Sequence, residues 1–486
     1  MGKKITIIGS GFSSLSAACY LAKAGHEVDV YEKNETIGGR ARQFKKDGFT
    51  FDMGPSWYWM PDVFDRFFAD FGKKTSDYYD LIKLSPAYRV YYGINDFITI
   101  ADNLPEIVRT FETIEKGSGR VLEAFIADAK KNYDIAILNL VYRPGVSPLE
   151  LITVETAMKV GQFFSNISKD VRKKFTNQRL IQILEFPVLF LGAKPSDTPS
   201  FYSFMNYADF GLGTWHPKTG MFDVVRAMES LAKELGVKFH TNCAIERINV
   251  DNKTAKSVVI NGNEILSDAV LSGADYAHTE TLLPDNYKQY SDKYWESRVF
   301  APSSLLFYVG FDRKLDDVAH HALFFDVDFN QHARDIYDEP KWPNEPLFYA
   351  NFPSLTDKSC APEGKEAGFF LIPLAIGIED TPELRQQYFD KIIDRFESLT
   401  GQNIRKNIIF THSFCKNDFV EDYNSYKGNA YGMANTLLQT AFLRPKLKSA
   451  KVNNLYFTGQ LTVPGPGVPP ALISGKLVSE LIEKNI

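Results

Sequence analysis

The chain has 486 residues, with 55 Lys and Arg against 60 Asp and Glu and a formal net charge of −5. That balance excludes bulk nucleic-acid binding, which needs a basic face to meet phosphates. A hydrophobic fraction of 44% and a charged fraction of 24% are ordinary for a soluble protein, and the length allows about two or three domain-sized units with room for a ligand cavity.

In chain order, Lys3 and Lys4 precede an apolar run, as in a signal peptide. Gly9, Ser10 and Gly11 stop that run after one strand's length, so the pattern predicts a strand over 4–8, a turn, and a helix over 13–23 that ends at Gly25. A second strand follows over 27–32, completing a βαβ unit of the size of a dinucleotide half-site. No apolar run reaches the ~18 residues of a membrane-spanning helix. From about Pro61 to Tyr207 helical patterns dominate, as over 63–71, 104–114 and 121–137. The strongly apolar stretch 184–191 reads as a buried helix end, with a surface dipping into the lipid interface as the alternative.

Further along, a helix is expected over 221–235, then strands over 237–250, 257–265, 269–272, 303–311 and 368–374. A helix over 382–399 leads to a last strand, 455–458, and a last helix, 468–482. The two ends are alike in kind, each a strand, a glycine turn and a helix, which points to one domain built from distant segments. Cys19, Cys243, Cys360 and Cys415 lie far apart and form no CxxC pair or His cluster. That spacing argues against a disulfide framework or a zinc site and fits a reducing cytoplasm.

The first turn reads Gly9-Ser10-Gly11-Phe12-Ser13-Ser14. Gly9 permits the tight turn, Gly11 admits a pyrophosphate, and the helix N-terminus supplies free N–H groups. Ser14 stands where the G-x-G-x-x-G fingerprint has its third glycine, which serves helix–strand packing. Glu32, beside Lys33, lies about 20 residues beyond Gly11, where an acid accepts from ribose hydroxyls.

Gly38-Gly39-Arg40-Ala41-Arg42 then offers backbone N–H groups and two planar guanidinium forks for phosphate or flavin oxygens, and Gly54-Pro55-Ser56 offers another bare backbone. At the far end, Gly459-Gln460 and Gly467-Val468-Pro469 close a strand and open a helix whose N-terminus suits the electron-rich end of a reduced flavin. A nicotinamide enzyme has no evident need of this second turn, so the cofactor read from the residues is FAD.

At these residues the chain resembles the amine-oxidase-like FAD superfamily, and within it the phytoene-desaturase-type carotenoid desaturases. The resemblance runs over nearly the whole chain. It is carried by Trp215-His216-Pro217-Lys218-Thr219-Gly220-Met221, by Leu271-Ser272-Gly273-Ala274-Asp275 with Gly273 in place of the family's Asn, and by Ala319-His320-His321. Ala361-Pro362-Glu363-Gly364, Asp418-Phe419, Tyr426-Lys427-Gly428-Asn429-Ala430 and the closing segment 464–469 add to it, Gln460 and Pro466 departing from the usual small residues.

The resemblance implies an α/β fold: a discontinuous Rossmann-like FAD domain (1–95, 221–300 and 445–486), a helical, membrane-contacting part (96–220) and a substrate domain with a mixed or antiparallel sheet (301–444). It further implies FAD contacts at Ile245, Ala274 and Asp275. The implied reaction removes two hydrogens from a C–C single bond flanked by a polyene, a hydride going to flavin N5 and a proton leaving the neighbouring carbon.

No Ser/His or Cys/His pair demands nucleophilic catalysis. His216 and Asp418 are weak candidates for a catalytic role, and His320 and His321 are worth watching. The many aromatics (38 Phe, 24 Tyr) fit an aromatic core or an apolar tunnel, for which Trp57, Tyr58, Trp59, Phe186, Phe190, Tyr207 and Trp215 are lining candidates. The expected partners are a carotenoid substrate and a membrane surface, on the cytoplasmic side, with oxygen or a quinone as terminal acceptor. The reading leans to 3,4-desaturation of a hydroxylated carotenoid; phytoene desaturation is the alternative, with a flavin amine oxidase or a non-catalytic isoprenoid carrier more remote.

Overall fold

The computed structural model describes residues 2–138 and 140–486. Its organising element is a five-stranded parallel sheet. The β-branched strand Lys4–Ile8 lies at the centre, buried at Ile5, Ile7 and Ile8. Ala269–Ser272 flanks it on one side and Glu27–Tyr31 on the other. Leu455–Phe457 and Lys238–His240 form the two edges. Such near-continuous apolar strands are what a parallel sheet covered on both faces requires.

The helix Phe12–Lys23 follows the first strand, and Val468–Glu483 follows the last. They pack so closely that a Cβ on Gly475 would stand 2.4 Å from the Ser13 carbonyl oxygen and 2.6 Å from Ser16 Cβ. Ser16 Oγ donates to the Leu472 carbonyl at 2.7 Å across the same contact. The two ends of the chain thus form one layer over one sheet.

A second sheet has seven strands and is antiparallel but for one pair. Ser303–Phe311, buried at every residue, runs between Glu366–Leu374 and Ile408–Phe414. At the other side Tyr88–Gly93 pairs in parallel with His321–Phe324 and antiparallel with Asp96–Ile100. These strands lie inside the stretch expected to be helical, and the boundary at 95 falls between them. Three short strands, 81–100 in all, were hidden among long helical patterns because each is only a few residues long.

Helices Leu104–Ile114, Ser118–Leu138 and Gln178–Glu185 form most of the intervening layer. The 184–191 stretch is a buried helix end: Leu184 and Val188 are fully enclosed, and a short tight helix, Phe186–Leu191, continues it. No helix among the described residues is long and apolar enough to cross a membrane.

Two expected strands prove to be pairs. The 237–250 stretch breaks at Asn242, which takes a left-handed conformation (φ 55°), giving Lys238–His240 in the parallel sheet and Arg247–Asp251 in a small antiparallel one. The 257–265 stretch folds back at Asn261-Gly262, both at positive φ, into the hairpin Thr254–Ile260 and Asn263–Leu266. Asn-Gly is the residue pair such a two-residue turn favours.

Asp209, 2% exposed, joins the helical layer to the seven-stranded sheet by accepting from the Tyr88 hydroxyl at 2.8 Å. Burial pushes its carboxyl up to about 8 against the opposing effect of that bond. The native state therefore keeps a proton that the unfolded chain has lost above its ordinary carboxylate range near ~4. Stability falls as pH rises from ~4 through about 8. In Asp209→Asn this loss disappears, so its melting temperature relative to the parent is expected to climb between pH 5 and pH 8. Gly475→Ala is expected to lower stability by ~1–3 kcal/mol in denaturant unfolding, although alanine is the better helix former.

Candidate active site

The carboxyl ends of parallel strands share one edge of a sheet, and ligands settle there. At that edge the glycine turns from both ends of the chain meet. Gly9 takes φ 82° and its N–H bonds Tyr31 O at 2.8 Å. Gly11 opens the first helix, and the position of a Cβ on it has nothing within 4 Å. Gly39 backs against Gly11, a Cβ there falling 3.2 Å from Gly11 Cα, and Gly38 N donates to Ser10 O at 3.1 Å. A Cβ on Gly54 would lie 2.4 Å from Arg40 O. Three loops are therefore stacked backbone to backbone, and Gly39 and Gly54 stand where they touch.

Glu32, 4% exposed, accepts from Ser10 N at 3.0 Å, Ser10 Oγ at 2.6 Å and Asn34 N at 2.9 Å, which fixes its carboxylate at the end of the second strand. Lys33 turns to Asn424 Oδ1 at 3.2 Å. Arg40 donates to Ser425 Oγ at 2.9 Å and, with the Gln460 amide oxygen turned toward it, to Gln460 at 3.1 Å; its Nε is buried without a partner. Burial lowers the Arg40 guanidinium from its ordinary value, and Asp275 and Tyr423 oppose this. The Asp275 carboxylate is committed to capping the helix Tyr276–Thr281 and to Tyr426 N at 3.2 Å.

The C-terminal turn is held by a buried cation. Arg444, 2% exposed, donates to the carbonyls of Thr462 (2.8 Å), Gln460 (2.6 Å), Met433 (3.0 Å) and Gln439 (3.0 Å) and to Asn435 Oδ1 at 2.6 Å. Burial lowers it to about 10. Gly459, at φ 106°, sits next to Ser13 and donates to Ser474 Oγ at 3.0 Å. At the last helix N-terminus Pro469 and Pro470 carry no N–H, so Gly467 and Val468 are the backbone donors available to the cleft.

One cavity of about 1320 Å³ runs from these turns into the interior. A drug-sized pocket is typically ~300–1,000 Å³. Its wall includes Gly9, Ser10, Gly11, Phe12, Ser13, Glu32, Lys33, Gly38, Gly39, Arg40, Gly54, Pro55, Ser56, Ile245, Ala274, Asp275, Gly459, Gln460, Gly467, Val468 and Pro469. Two expected cofactor residues lie off it. Arg42 is turned to the Asp422 carboxylate and over the Tyr423 ring. Ser14 is fully buried on the inner face of the first helix.

Of the aromatic lining candidates, Trp57, Trp59, Phe186 and Phe190 form one wall, with ring centroids 5.1–6.3 Å apart. Trp57 is backed by His321, stacked at 4.0 Å. Tyr58, Tyr207 and Trp215 do not line the cavity. Extended backbone sends alternate side chains to opposite sides, so Tyr58 points away from its two Trp neighbours, stacks on Phe64 and bonds Tyr79. Trp215 donates to Leu212 O, and Tyr207 meets Tyr133 edge-on.

Both weak catalytic candidates also lie away from the cavity. Asp418 accepts from Cys415 N at 2.7 Å and pairs with Arg385 at 2.8 Å, capping the helix Lys416–Tyr423. His216 sits in a buried cluster with Asp357 and Cys360. Sequence reading missed the wall built by 136–164, 323–349 and 430–443, whose apolar patterns look like any core segment. It also missed a polar spot in that wall, where Ser56 Oγ and Tyr349 OH lie 2.9 Å apart and His321 Nδ1 meets the same hydroxyl at 2.7 Å.

A glycine turn, a helix N-terminus and an acid-ended second strand facing one cleft of a parallel sheet are the features of the doubly wound, nucleotide-binding class of fold. The chain belongs to the family of flavin containing amine oxidoreductases, whose profile matches residues 12–482. Flavin is the cofactor of that family. The chain is similar to a carotenoid 3,4-desaturase of Haloarcula japonica, 41% identical over 100% of this chain and 99% of the relative. It is also similar to a zeta-carotene-forming phytoene desaturase of Myxococcus xanthus, 32% identical over 99% and 93%. Among solved structures, an oxidoreductase from Methanosarcina mazei shares the fold with a TM-score of 0.64 at 17% identity, covering 98% of this chain and 100% of that one.

The geometry accounts for two of the departures from the usual motifs, Ser14 and Gly273, together. A Cβ on Gly273 would lie 2.0 Å from Ser14 Oγ, so the serine in the first helix fills the space that the glycine leaves. Gly273→Ala alone is expected to destabilise the fold, and Ser14→Gly with Gly273→Ala to recover most of the loss. A double-mutant cycle in urea is expected to give a coupling of ~1–3 kcal/mol.

Proposed function

We propose that the chain is an FAD-dependent carotenoid desaturase that removes two hydrogens from a C–C single bond of a long polyene, by preference the 3,4 bond of a hydroxylated carotenoid. The observation that carries this reading is the continuity of the cavity: the nucleotide cleft opens into an apolar bore walled by Trp57, Trp59, Phe186 and Phe190. The space left open at Gly11 and the buried guanidinium of Arg40, with its unpartnered Nε, fit the diphosphate of FAD. Glu32 fits the ribose, and Gly459 to Val468 the flavin end. When bound, FAD supplies a two-electron acceptor at the base of the bore.

The chain's own residues bind and orient. The aromatic wall holds the polyene by dispersion and by exclusion of water, at ~25 cal/mol per Å² of apolar surface buried. Ser56 and Tyr349 provide the hydrogen-bonding spot that a hydroxyl on the substrate needs in an apolar bore, which favours the hydroxylated substrate over phytoene. Removal of hydride beside a polyene leaves a delocalised cation, so the proton can depart without a strong base.

The mouth of the cavity supports delivery from lipid. Ile152 (71% exposed), Phe164 (80%) and Leu438 (75%) stand on its rim, with Val154 and Met158 nearby equally bare. An apolar patch of this kind marks a membrane or partner surface. This rim, rather than 184–191, is the lipid-contacting part of the reading. The acceptor that reoxidises the flavin is oxygen or a membrane quinone.

Anaerobic addition of candidate carotenoids to the flavin-loaded protein on vesicles tests the proposal. A 3,4-desaturated product with a red-shifted spectrum and bleaching of the flavin are expected from the hydroxylated substrate. Conversion of phytoene instead would move the substrate assignment, and no conversion of any carotenoid would end it. Phe164→Asp with Leu438→Asp is expected to lower vesicle co-sedimentation at least tenfold.

A further inference from the structure

We infer that His216, Asp357, Cys360 and His320 form a structural site for a zinc-type divalent cation, distinct from the flavin cleft. One ligand atom from each of His216, Asp357 and Cys360 lies within 4.8 Å of the other two, and all three side chains are buried, at 3%, 5% and 3% exposure. His216 Nε2 stands 3.8 Å from Asp357 Oδ2. That is beyond hydrogen-bond reach, and close to the ~3.4 Å that separates two ligands bound tetrahedrally at ~2.0–2.1 Å.

A fourth ligand can come from His320, which stands outside the 4.8 Å group formed by the other three. The His320 ring centroid is 4.8 Å from that of His216. His320 Nδ1 is engaged by Thr356 Oγ1 at 2.8 Å, while its Nε2, like His216 Nε2, is buried without a hydrogen-bond partner. Leaving two buried imidazole nitrogens unpaired is costly, and a cation bound by both removes that cost.

The charges also close. Two neutral histidines, one carboxylate and one thiolate around a divalent cation make an electroneutral unit, which is what a buried site tolerates. Without the ion, no Lys or Arg among the described residues pairs with Asp357. The outer contacts resemble those that orient metal ligands: Ser359 N and Oγ donate to Asp357 Oδ1 at 2.9 and 2.6 Å, and Thr219 N donates to its other oxygen.

The set is invisible to local spacing because it comes from separate elements: the strand Trp215–Pro217, the residue preceding His321–Phe324, and the turn Lys358–Cys360. Bound there, the ion ties the segment that opens the helix Met221–Glu234 to the seven-stranded sheet. Binding releases the Cys360 proton, since the thiol must ionise to ligate.

Elemental analysis and zinc-edge X-ray absorption of the full-length flavoprotein test the site. About one zinc per chain is expected, with one sulfur near ~2.3 Å and three nitrogen or oxygen ligands near ~2.0–2.1 Å. Chelation is expected to lower the melting temperature, and added zinc to restore it. Cys360→Ser and Asp357→Asn are each expected to weaken zinc binding at least tenfold. Protein that carries under a tenth of an equivalent and takes up no added zinc would overturn the inference. So would bound zinc with no sulfur ligand, or zinc retained undiminished in both variants. The wild-type absorption spectrum and the chelation shift decide the matter even where a variant fails to fold.

Discussion

The close approach of the first and last helices at Gly475 is the constraint on which the rest of the structure depends. With Ser13 O, Ser16 and Ala17 N filling the space where a side chain would go, the helices Phe12–Lys23 and Val468–Glu483 have one way to lie against each other. Their strands then run parallel on either side of Ala269–Ser272 and end at the same edge. Gly459 comes to lie against Ser13, just past the turn at Gly9, and both turns line the same cleft. Without this contact each glycine turn would be half a site.

Around the cleft, several polar groups hold backbone. Arg444 takes five oxygens, none of them a carboxylate, and so binds the 433–439 loop to the 460–462 turn while remaining a buried cation. Glu32 accepts from Ser10 of the first turn and from Asn34 N, and Asp275 caps a helix end and accepts from Tyr426 N. The interior beyond is left to aromatic rings. Polar contacts and packing are thereby separated in space: a hydrogen-bonded rim surrounds the glycine turns, and an apolar bore lies beyond it.

The βαβ unit with its glycine turn was legible in the sequence because its signals are local. A β-branched strand, Gly9-Ser10-Gly11 and an acid at Glu32 report themselves within one βαβ unit, and the closing Gly/Pro run reports the other end. The hairpin at Asn261-Gly262 was equally local and was passed over because the flanking residues read as one continuous strand. The bore was legible only in part, since Trp57 and Trp59 face it while Tyr58 between them does not, and composition cannot tell the sides apart. The Ser14–Gly273 exchange and the grouping of His216 with Asp357 and Cys360 were beyond reach. Each joins residues distant in the chain whose meaning exists only once the fold has placed them together.

The edge strand Leu455–Phe457 has a consequence for biogenesis. At about 5–20 residues per second on the ribosome, the opening strand waits tens of seconds for the segment that completes its sheet. Through that interval the face of the first helix that the last helix covers has no partner, and its apolar surface is open to chaperones or to aggregation. The cleft between the glycine turns is accordingly completed late in synthesis, and loss of Leu455–Phe457 with the helix that follows it is expected to remove the cleft as completely as loss of the opening strand.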